Sequence, residues 1–418
     1  MHEKKRMRIA FLGHFDSSNF GNECTLQAIL HHLHCHQPDV DITCITTGPE
    51  AAAATHQIAA IPISPTLVAK FWLPQKRLLK WARSVLIGIP SEPFRWIIAF
   101  RELQHIDALI IAGTGLLTDA VSLRGWGPYN VFKWSLIAKT CGCKLLFVSV
   151  GAGPIYTAVG RWLIRSALSL AEFRSYRDTS TLQYLRSIGF PADKDRVFPD
   201  LAFSLPAAVV TPTHPTERGH RPVIGLGLMV YAGKYGDANP NHNIYRSYLQ
   251  TMADVVTWLQ AQDNDIRLLI GDVWDLPTTR ELMELLHTRL PEPDERHIIH
   301  EPIASVKDLL SQIASADIVV ATRFHNVLLA FLREKPAISI SFHHKCASLM
   351  SAMGLSAYCL DIKTLKADQL IERICYAKQN AAELKLLIRK KNAEFRQELD
   401  RQYRLIFGKC LRGLGAEE

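Results

Sequence analysis

Ala316-Asp317-Ile318-Val319-Val320-Ala321-Thr322-Arg323-Phe324-His325-Asn326 decides how the rest of the chain is read. The β-branched run 318–320 has the composition of a buried parallel strand. It ends abruptly in a cation and an imidazole, and a helical pattern follows over 326–332. In an open α/β sheet, ligands sit just outside the carboxyl ends of the strands, near helix N-termini whose free N–H groups favour anions. An Arg and a His placed there can hold a phosphate or carboxylate and move a proton beside it. A lone Arg would be no more than a polar strand end; the pairing, with Lys345 after the next strand, favours a site.

Strands and helices alternate outward from this stretch in both directions, which predicts parallel sheets and an α/β fold. Candidate strands in the first half are 8–12, 42–46, 107–112, 144–150 and 173–176, with helical patterns such as 23–33 and 160–171 between them. Near 205–222 the chain turns to linker composition, with Pro206, Pro212, Pro215 and Pro222 among Thr, His and Gly. Alternation restarts at 223–228 and continues through 267–270, 297–300, 318–321 and 337–341. Two Rossmann-like domains facing a cleft are expected: one over 1–205, a linker over 206–222, and a second over 223–380. A C-terminal helix and tail follow over 381–418, with an apolar stripe at Leu384, Ile388, Phe395, Leu399 and Ile406 that packs one face and leaves the other solvated. A length of 418 residues suits two cores better than one.

Composition narrows the classes. The apolar fraction of 48% is that of a globular protein, and no apolar run approaches a membrane span. The basic start leads only into the short apolar run Ile9 to Leu12, a first strand rather than a signal-peptide core, so a cytoplasmic protein is expected. Nine scattered cysteines do not form a disulfide framework, and Cys141-Gly-Cys143 has no second pair to complete a zinc site. His31-His32-Leu33-His34-Cys35-His36 carries metal-ligand types four apart, but without a carboxylate it reads better as a solvated helix end, and no metal is expected. The net charge of +8 is spread along the chain with no basic-aromatic module, which argues against nucleic acid and fits an anionic small molecule or membrane surface. One segment, 67–101, interleaves Phe71, Trp72, Trp81 and Trp96 with Lys70, Lys76, Arg77, Lys80 and Arg83. It suits peripheral membrane contact and equally a cover over the sheet that snorkels its lysines.

Three strand ends in the first half run into glycine turns: Gly13 to Glu23, Ala112 to Asp119, and Ser149 to Pro154. None is a dinucleotide or Walker loop. Together they place three close-approach loops on one sheet edge, where glycine lets the backbone come near a ligand. Candidate substrate-binding residues there are Asn19, Gly21, Glu23, Gly113, Gly115, Asp119, Gly151 and Gly153, with Asn326 beside His325 in the second half. Ser175-Tyr176-Arg177-Asp178-Thr179-Ser180 puts Arg177 at another strand end, with Asp178 or Thr179 as helix cap. Asp200 reads as a structural cap. Cations and an imidazole with no carboxylate pair suit a multiply anionic substrate rather than glycoside hydrolysis.

In this order the segments resemble the polysaccharide pyruvyltransferase family, from Arg8 to about Leu360. Asn19-Phe20-Gly21-Asn22-Glu23 is similar to the family's Asn-x-Gly-Asp-Glu, with Asn22 in place of Asp. Ala112 to Asp119 stands for its Gly-Gly-Gly-Leu-Leu-x-Asp, with two glycines replaced. Gly151-Ala152-Gly153-Pro154 matches its Gly-x-Gly-Pro, Arg177-Asp178-Thr179-Ser180 its Arg-Asp-x-x-Ser with the Ser one position early, and Arg323-Phe324-His325 its Arg-x-His, followed by Lys345. The resemblance implies a glycosyltransferase-B-like fold with the active site between the halves. The first half takes the acceptor side and the second the donor side. It implies transfer of pyruvate from phosphoenolpyruvate to a hydroxyl pair on a sugar, giving a cyclic ketal on a cell-surface polysaccharide or its lipid-linked precursor. Arg177, Arg323, His325 and Lys345 correspond to the family's active-site residues, with His325 as general acid or base. No cofactor is expected beyond phosphoenolpyruvate as co-substrate. Two rivals share the fold: a nucleotide-sugar glycosyltransferase using Asp272 or Asp275 on a ribose, and an inactive glycan-binding or scaffold member.

Overall fold

The apolar runs of the first half pair side by side as a seven-stranded sheet in a computed structural model that describes residues 6–15, 19–65, 90–119, 126–210, 221–231, 242–289 and 295–411. Its strands are β1 (Met7–Gly13), β2 (Val40–Thr46), β3 (Ala59–Pro62), β4 (Ala108–Ala112), β5 (Lys144–Val150), β6 (Phe173–Tyr176) and β7 (Arg196–Val197). They lie in the order 3-2-1-4-5-6-7, every pair parallel. The second half repeats the plan with β8 (Val223–Gly227), β9 (Asp265–Leu269), β10 (Ile298–Ile299), β11 (Ile318–Ala321), β12 (Ala337–Ser341) and β13 (Cys359–Asp361), in the order 10-9-8-11-12-13. Strand order reverses between β1 and β4 in one sheet and between β8 and β11 in the other. These are the points where open α/β sheets leave a crevice.

Helices connect the parallel strands: α1 (Phe20–His36), α2 (Pro49–His56), α3 (Glu92–Leu103), α4 (Trp126–Thr140), α5 (Ala158–Ser169) and α6 (Thr179–Ser187) in the first half. The second carries α7 (His242–Ala261), α8 (Leu276–Arg289), α9 (Val306–Ser315), α10 (Phe324–Leu332), α11 (His344–Ala352), α12 (Ala367–Gln379) and α13 (Ala381–Leu405). The first sheet's alternating side chains feed two cores. Leu109, Ile111, Leu145 and Phe147 pack under α3, α4 and α5, whereas Ile9, Phe11, Ile110 and Val148 belong to a core shared with α1, the second half and α13.

Helix α13 buries Leu384, Ile388 and Leu399, and then returns to the first sheet. Gln402, fully buried there, donates through Nε2 to the Ser149 hydroxyl at 3.0 Å and the Ser175 hydroxyl at 2.7 Å. Tyr403 shares a 2.8 Å bond with Ser204, and Lys144 donates to the Cys410 carbonyl at 2.6 Å. The end of the chain therefore ties the two halves together.

Sequence periodicity does not reveal β3, β7 and β13. They are two to four residues long and lie toward the sheet edges, too short for a run to register. Of the segment 67–101, residues 67–89 fall outside the described residues, and α3 accounts for most of the rest. No helix among the described residues is long and apolar enough to cross a membrane, and no cluster of three or more metal-ligating side chains occurs among them. Near the end of α1, His31, His34 and His36 are exposed, His34 and His36 bonding carbonyls one turn back in the same helix, whereas His32 turns inward, bonds the Ser204 carbonyl and stacks on Tyr403.

Candidate active site

The two switch points face each other. Arg323 leaves β11 in an extended conformation as N-cap of α10, so that His325 lies in that helix's first turn. Across the crevice, Asn19 caps α1 with its side-chain oxygen, which accepts from the Gly21 and Asn22 amides. The His325 imidazole rests directly on Gly21: a Cβ on Gly21 would sit 1.8 Å from Nδ1. A side chain there is therefore excluded by an imidazole of the other half, which accounts for this glycine. His325 Nε2 is buried and has no hydrogen-bond partner among the described residues. Burial, then the charges of Arg177, Lys345 and Arg323, hold its pKa well below the usual histidine range, so the ring is neutral at pH 7.

Two cations from opposite halves converge beside it. The Arg177 guanidinium carbon lies 5.0 Å from the centre of the Phe324 ring and Lys345 Nζ lies 5.8 Å from it, with Phe342 5.3 Å from the same ammonium. Gly151 lets Arg177 approach, since a Cβ there would meet the guanidinium at 2.6–2.7 Å. Arg177 is loosely matched by Asp200 at 3.4 Å and Asp178 at 3.7 Å, and its Nε is buried without a hydrogen bond among the described residues. Lys345 has cation–π contacts but no ion pair among the described residues. Burial and the neighbouring charges of Arg177 and Arg323 lower its pKa to about 8. Burial pushes the Asp200 pKa up despite Arg177. At Asp178 burial is outweighed by Arg177 and by bonds from Ser180 and Thr181, so its pKa falls.

Arg323 is held differently. Its Nε and Nη2 bind both oxygens of the buried Asp275, at 2.6 and 2.7 Å, and Nη1 lies 3.6 Å from Asp272. Asp272 in turn accepts from Asn19 Nδ2 at 2.9 Å, a clasp between the halves. Both carboxylates that a ribose-binding rival could use, Asp272 or Asp275, are thus engaged within the protein.

A cavity of about 530 Å³ opens against this centre, walled by Arg177, Asp200, Phe324, Lys345 and Ser348, and by Phe395 from α13. Ser180 and Ser348 meet across it at 3.0 Å. A smaller recess of about 200 Å³ lies at the carboxyl ends of the first strands, lined by His14, Thr47, Ser64 and Asn130 among others.

The model of the polysaccharide pyruvyl transferase family matches residues 19–344, from the Asn19 cap to the start of α11. The chain belongs to this family. The amylovoran biosynthesis protein AmsJ of Erwinia amylovora is 20% identical over 404 residues, covering 88% of this chain and 91% of AmsJ. Among solved structures, Anabaena HepE, crystallised with UDP-glucose, superposes with a TM-score of 0.59 at 12% identity, over 98% of this chain and 100% of HepE. A glycosyltransferase of Rickettsia africae gives 0.60 at 12%, over 97% and 99%. At such identity these two speak for the fold, which is that of the glycosyltransferase-B class.

Within this pyruvyl transferase fold, the candidate residues named from sequence separate into groups. His325, Arg177, Lys345, Gly21 and Gly151 come together at the crevice, with Asn19 and Arg323 in the clasp beside them. Gly115 is exposed, with open space where a Cβ would point. Several others lie elsewhere. Glu23 is buried and paired with His56 inside the first half. Asp119 accepts from the Tyr156 and Thr157 amides and fastens the start of α5. Gly113 faces Thr25 and Gly153 faces Tyr184. Asn326 is fully buried, and its amide is pressed between Gly227 and Gly271. Phe324 and Phe342, which carry the cations, are missed by a reading that looks for charge. The aromatic inside Arg323-Phe324-His325 is the only hint of them.

Proposed function

We propose that the protein transfers pyruvate from phosphoenolpyruvate to a hydroxyl pair of a sugar acceptor on a surface polysaccharide or its lipid-linked precursor, leaving a cyclic ketal and releasing phosphate. The observation that carries this reading is the convergence of Arg177 and Lys345, from opposite halves, on Phe324 beside the neutral imidazole of His325. Family membership supports it, as does the relative named for exopolysaccharide assembly.

Phosphoenolpyruvate brings a phosphate and a carboxylate, and each charge-assisted contact to Arg177 or Lys345 contributes about 1.5–3 kcal/mol. Lys345, protonated below pH 8, supplies the proton that adds to the methylene carbon and makes C2 an oxocarbenium-like electrophile. The first sugar hydroxyl bonds to C2 and gives its proton to His325, which is neutral and so able to accept it. Departure of phosphate with the C2–O bonding pair regenerates an electrophile. The second hydroxyl closes the ring on it and passes its proton to the phosphate, and the proton held by His325 returns to Lys345, restoring both groups. The anionic donor also cancels part of the field of Arg177 and Lys345 at His325, which raises the imidazole's proton affinity when it is needed. Arg323, held by Asp275 and facing Asp272, positions His325 at the start of α10 rather than holding the donor.

Incubating the purified protein with phosphoenolpyruvate and a lipid-linked or oligosaccharide acceptor should release inorganic phosphate and give an acid-labile ketal, visible by mass spectrometry. His325→Ala should lose the ketal while keeping most donor binding. Release of a nucleotide from a sugar nucleotide, with none of phosphate from phosphoenolpyruvate, refutes the reading in favour of a glycosyltransferase.

A further inference from the structure

The first sheet's outer layer presents a face the site does not use. Helices α3, α4 and α5 lie side by side over one side of the sheet, and their inner residues, Ala99, Leu103, Trp134, Ile137, Ile164 and Leu168 among them, share one core. Their outer side remains apolar. Phe94, Ile97 and Phe100 on α3, with Tyr156 just before α5 and Val159 and Trp162 on it, are each 44–67% exposed. The half-buried Phe132 of α4 touches Trp162 at 5.6 Å between ring centres, so the outer apolar surface runs from α5 onto the intervening helix. Six large apolar side chains on one helical layer are more than scattered surface residues would supply.

We infer that this layer docks on an anionic lipid bilayer, with the aromatic and aliphatic side chains seated at the headgroup level. Charge selects that occupant. Arg161 and Arg165 flank Trp162, Arg101 follows Phe100, and all three are exposed. Neither α4 nor α5 contains an Asp or Glu, and of the two acids on α3 Glu92 is engaged by Arg95 and Tyr129 while Glu102 is exposed. A tryptophan-bearing apolar stripe rimmed by arginines is the pattern of an interfacial helix. A second copy of this chain fits less well, because a two-fold contact would set these arginines against each other with Glu102 of α3 as the one exposed acid on the three helices to answer them. The sequence running into α3 has the same bias: residues 66–89 include Lys70, Lys76, Arg77, Lys80 and Arg83 and no acid.

The placement also suits the site. Helix α5 begins just after the Gly151 to Pro154 turn, whose first glycine abuts Arg177, so the exposed Tyr156 before the helix and Val159 in its first turn follow that turn closely along the chain. A bilayer under this layer would bring a lipid-carried acceptor to the crevice. The inference rests on the pyruvyl-transfer reading only for what the lipid carries; the docking itself does not depend on the donor.

The test is flotation of the full-length protein with vesicles of phosphatidylcholine, with and without phosphatidylglycerol, at low salt, alongside phosphoenolpyruvate titration in vesicle-free buffer. The wild type should float with the anionic vesicles, and Ile97→Asp with Trp162→Asp should weaken this by about tenfold or more. Arg161→Glu with Arg165→Glu should abolish the preference for phosphatidylglycerol. Donor binding should be unchanged in all of them, so loss of lipid binding and failure of the donor reading are told apart. Should the aspartate variant misfold, Trp162→Phe serves: brominated lipids should quench wild-type tryptophan fluorescence, and the variant should lose much of that quenching. Equal flotation of the variants and the wild type, or no flotation of the wild type, overturns the proposal. So does unaltered lipid binding accompanied by conversion of a dimer to a monomer, which would assign the face to a second copy.

Discussion

At the scale of single residues, the crevice is built from contacts that leave no slack. Gly21 lies so close to His325 that Gly21→Ala must push the imidazole aside, because a Cβ 1.8 Å from Nδ1 has nowhere to go. Its expected effect is a loss of turnover of about a hundredfold or more, since misplacing a catalytic group by an ångström costs that much. The thermal midpoint should move far less; steady-state kinetics beside a melting curve checks both. Lys345 makes a pH prediction. Its ammonium is lost as pH rises through about 8, so kcat/KM should fall above that pH, and Lys345→Arg, charged throughout and unable to give up a proton, should lower turnover and shift or remove the limb. A limb unchanged in that variant contradicts the role. Charge at strand ends made Arg177, His325 and Lys345 legible in the sequence. The use of Arg323 was not, because its partner Asp275 stands 48 residues earlier and only folding brings them together. For the same reason Glu23, a candidate by its place in a motif, could not be known to face His56.

At the scale of elements, apolar runs followed by helical patterns were enough to read the alternation, since buried parallel strands are apolar on both faces. Short edge strands were not, and neither was the fate of the last helix. Its stripe at Leu384, Ile388 and Leu399 predicts a packed face but does not say on what. The answer lies in Gln402, a polar residue that sequence alone would leave in solvent. It is buried against Ser149, whose backbone takes the unfavourable φ of +46°, and against Ser175. Gln402→Ala would leave both hydroxyls short of a partner and should cost about 2–3 kcal/mol of stability, measured by chemical denaturation, with donor affinity nearly unaltered. A change below about 0.5 kcal/mol, the size of an ordinary surface substitution, would mean the helix end does not fasten the first sheet.

For the whole molecule, two sheets of like topology face each other across their switch points, and the histidine of one half rests on the first turn of a helix in the other. Three features then become one device. The glycine turns are close-approach sites, though at Gly21 and Gly151 the group approaching is a side chain of this chain rather than a ligand. The Asn19–Asp272–Arg323–Asp275 chain clasps the halves. The two cations not spent in that clasp are left facing the cavity, from opposite walls, with a neutral imidazole beside them. A small donor with two anionic groups is what such a centre would accept. Calorimetric titration of phosphoenolpyruvate into the wild-type protein and into Lys345→Gln tests this most directly. The account predicts saturable binding that weakens about tenfold or more in the variant, as expected for loss of a charge-assisted contact. Absence of binding to the wild type, or equal affinity in both proteins, would contradict it.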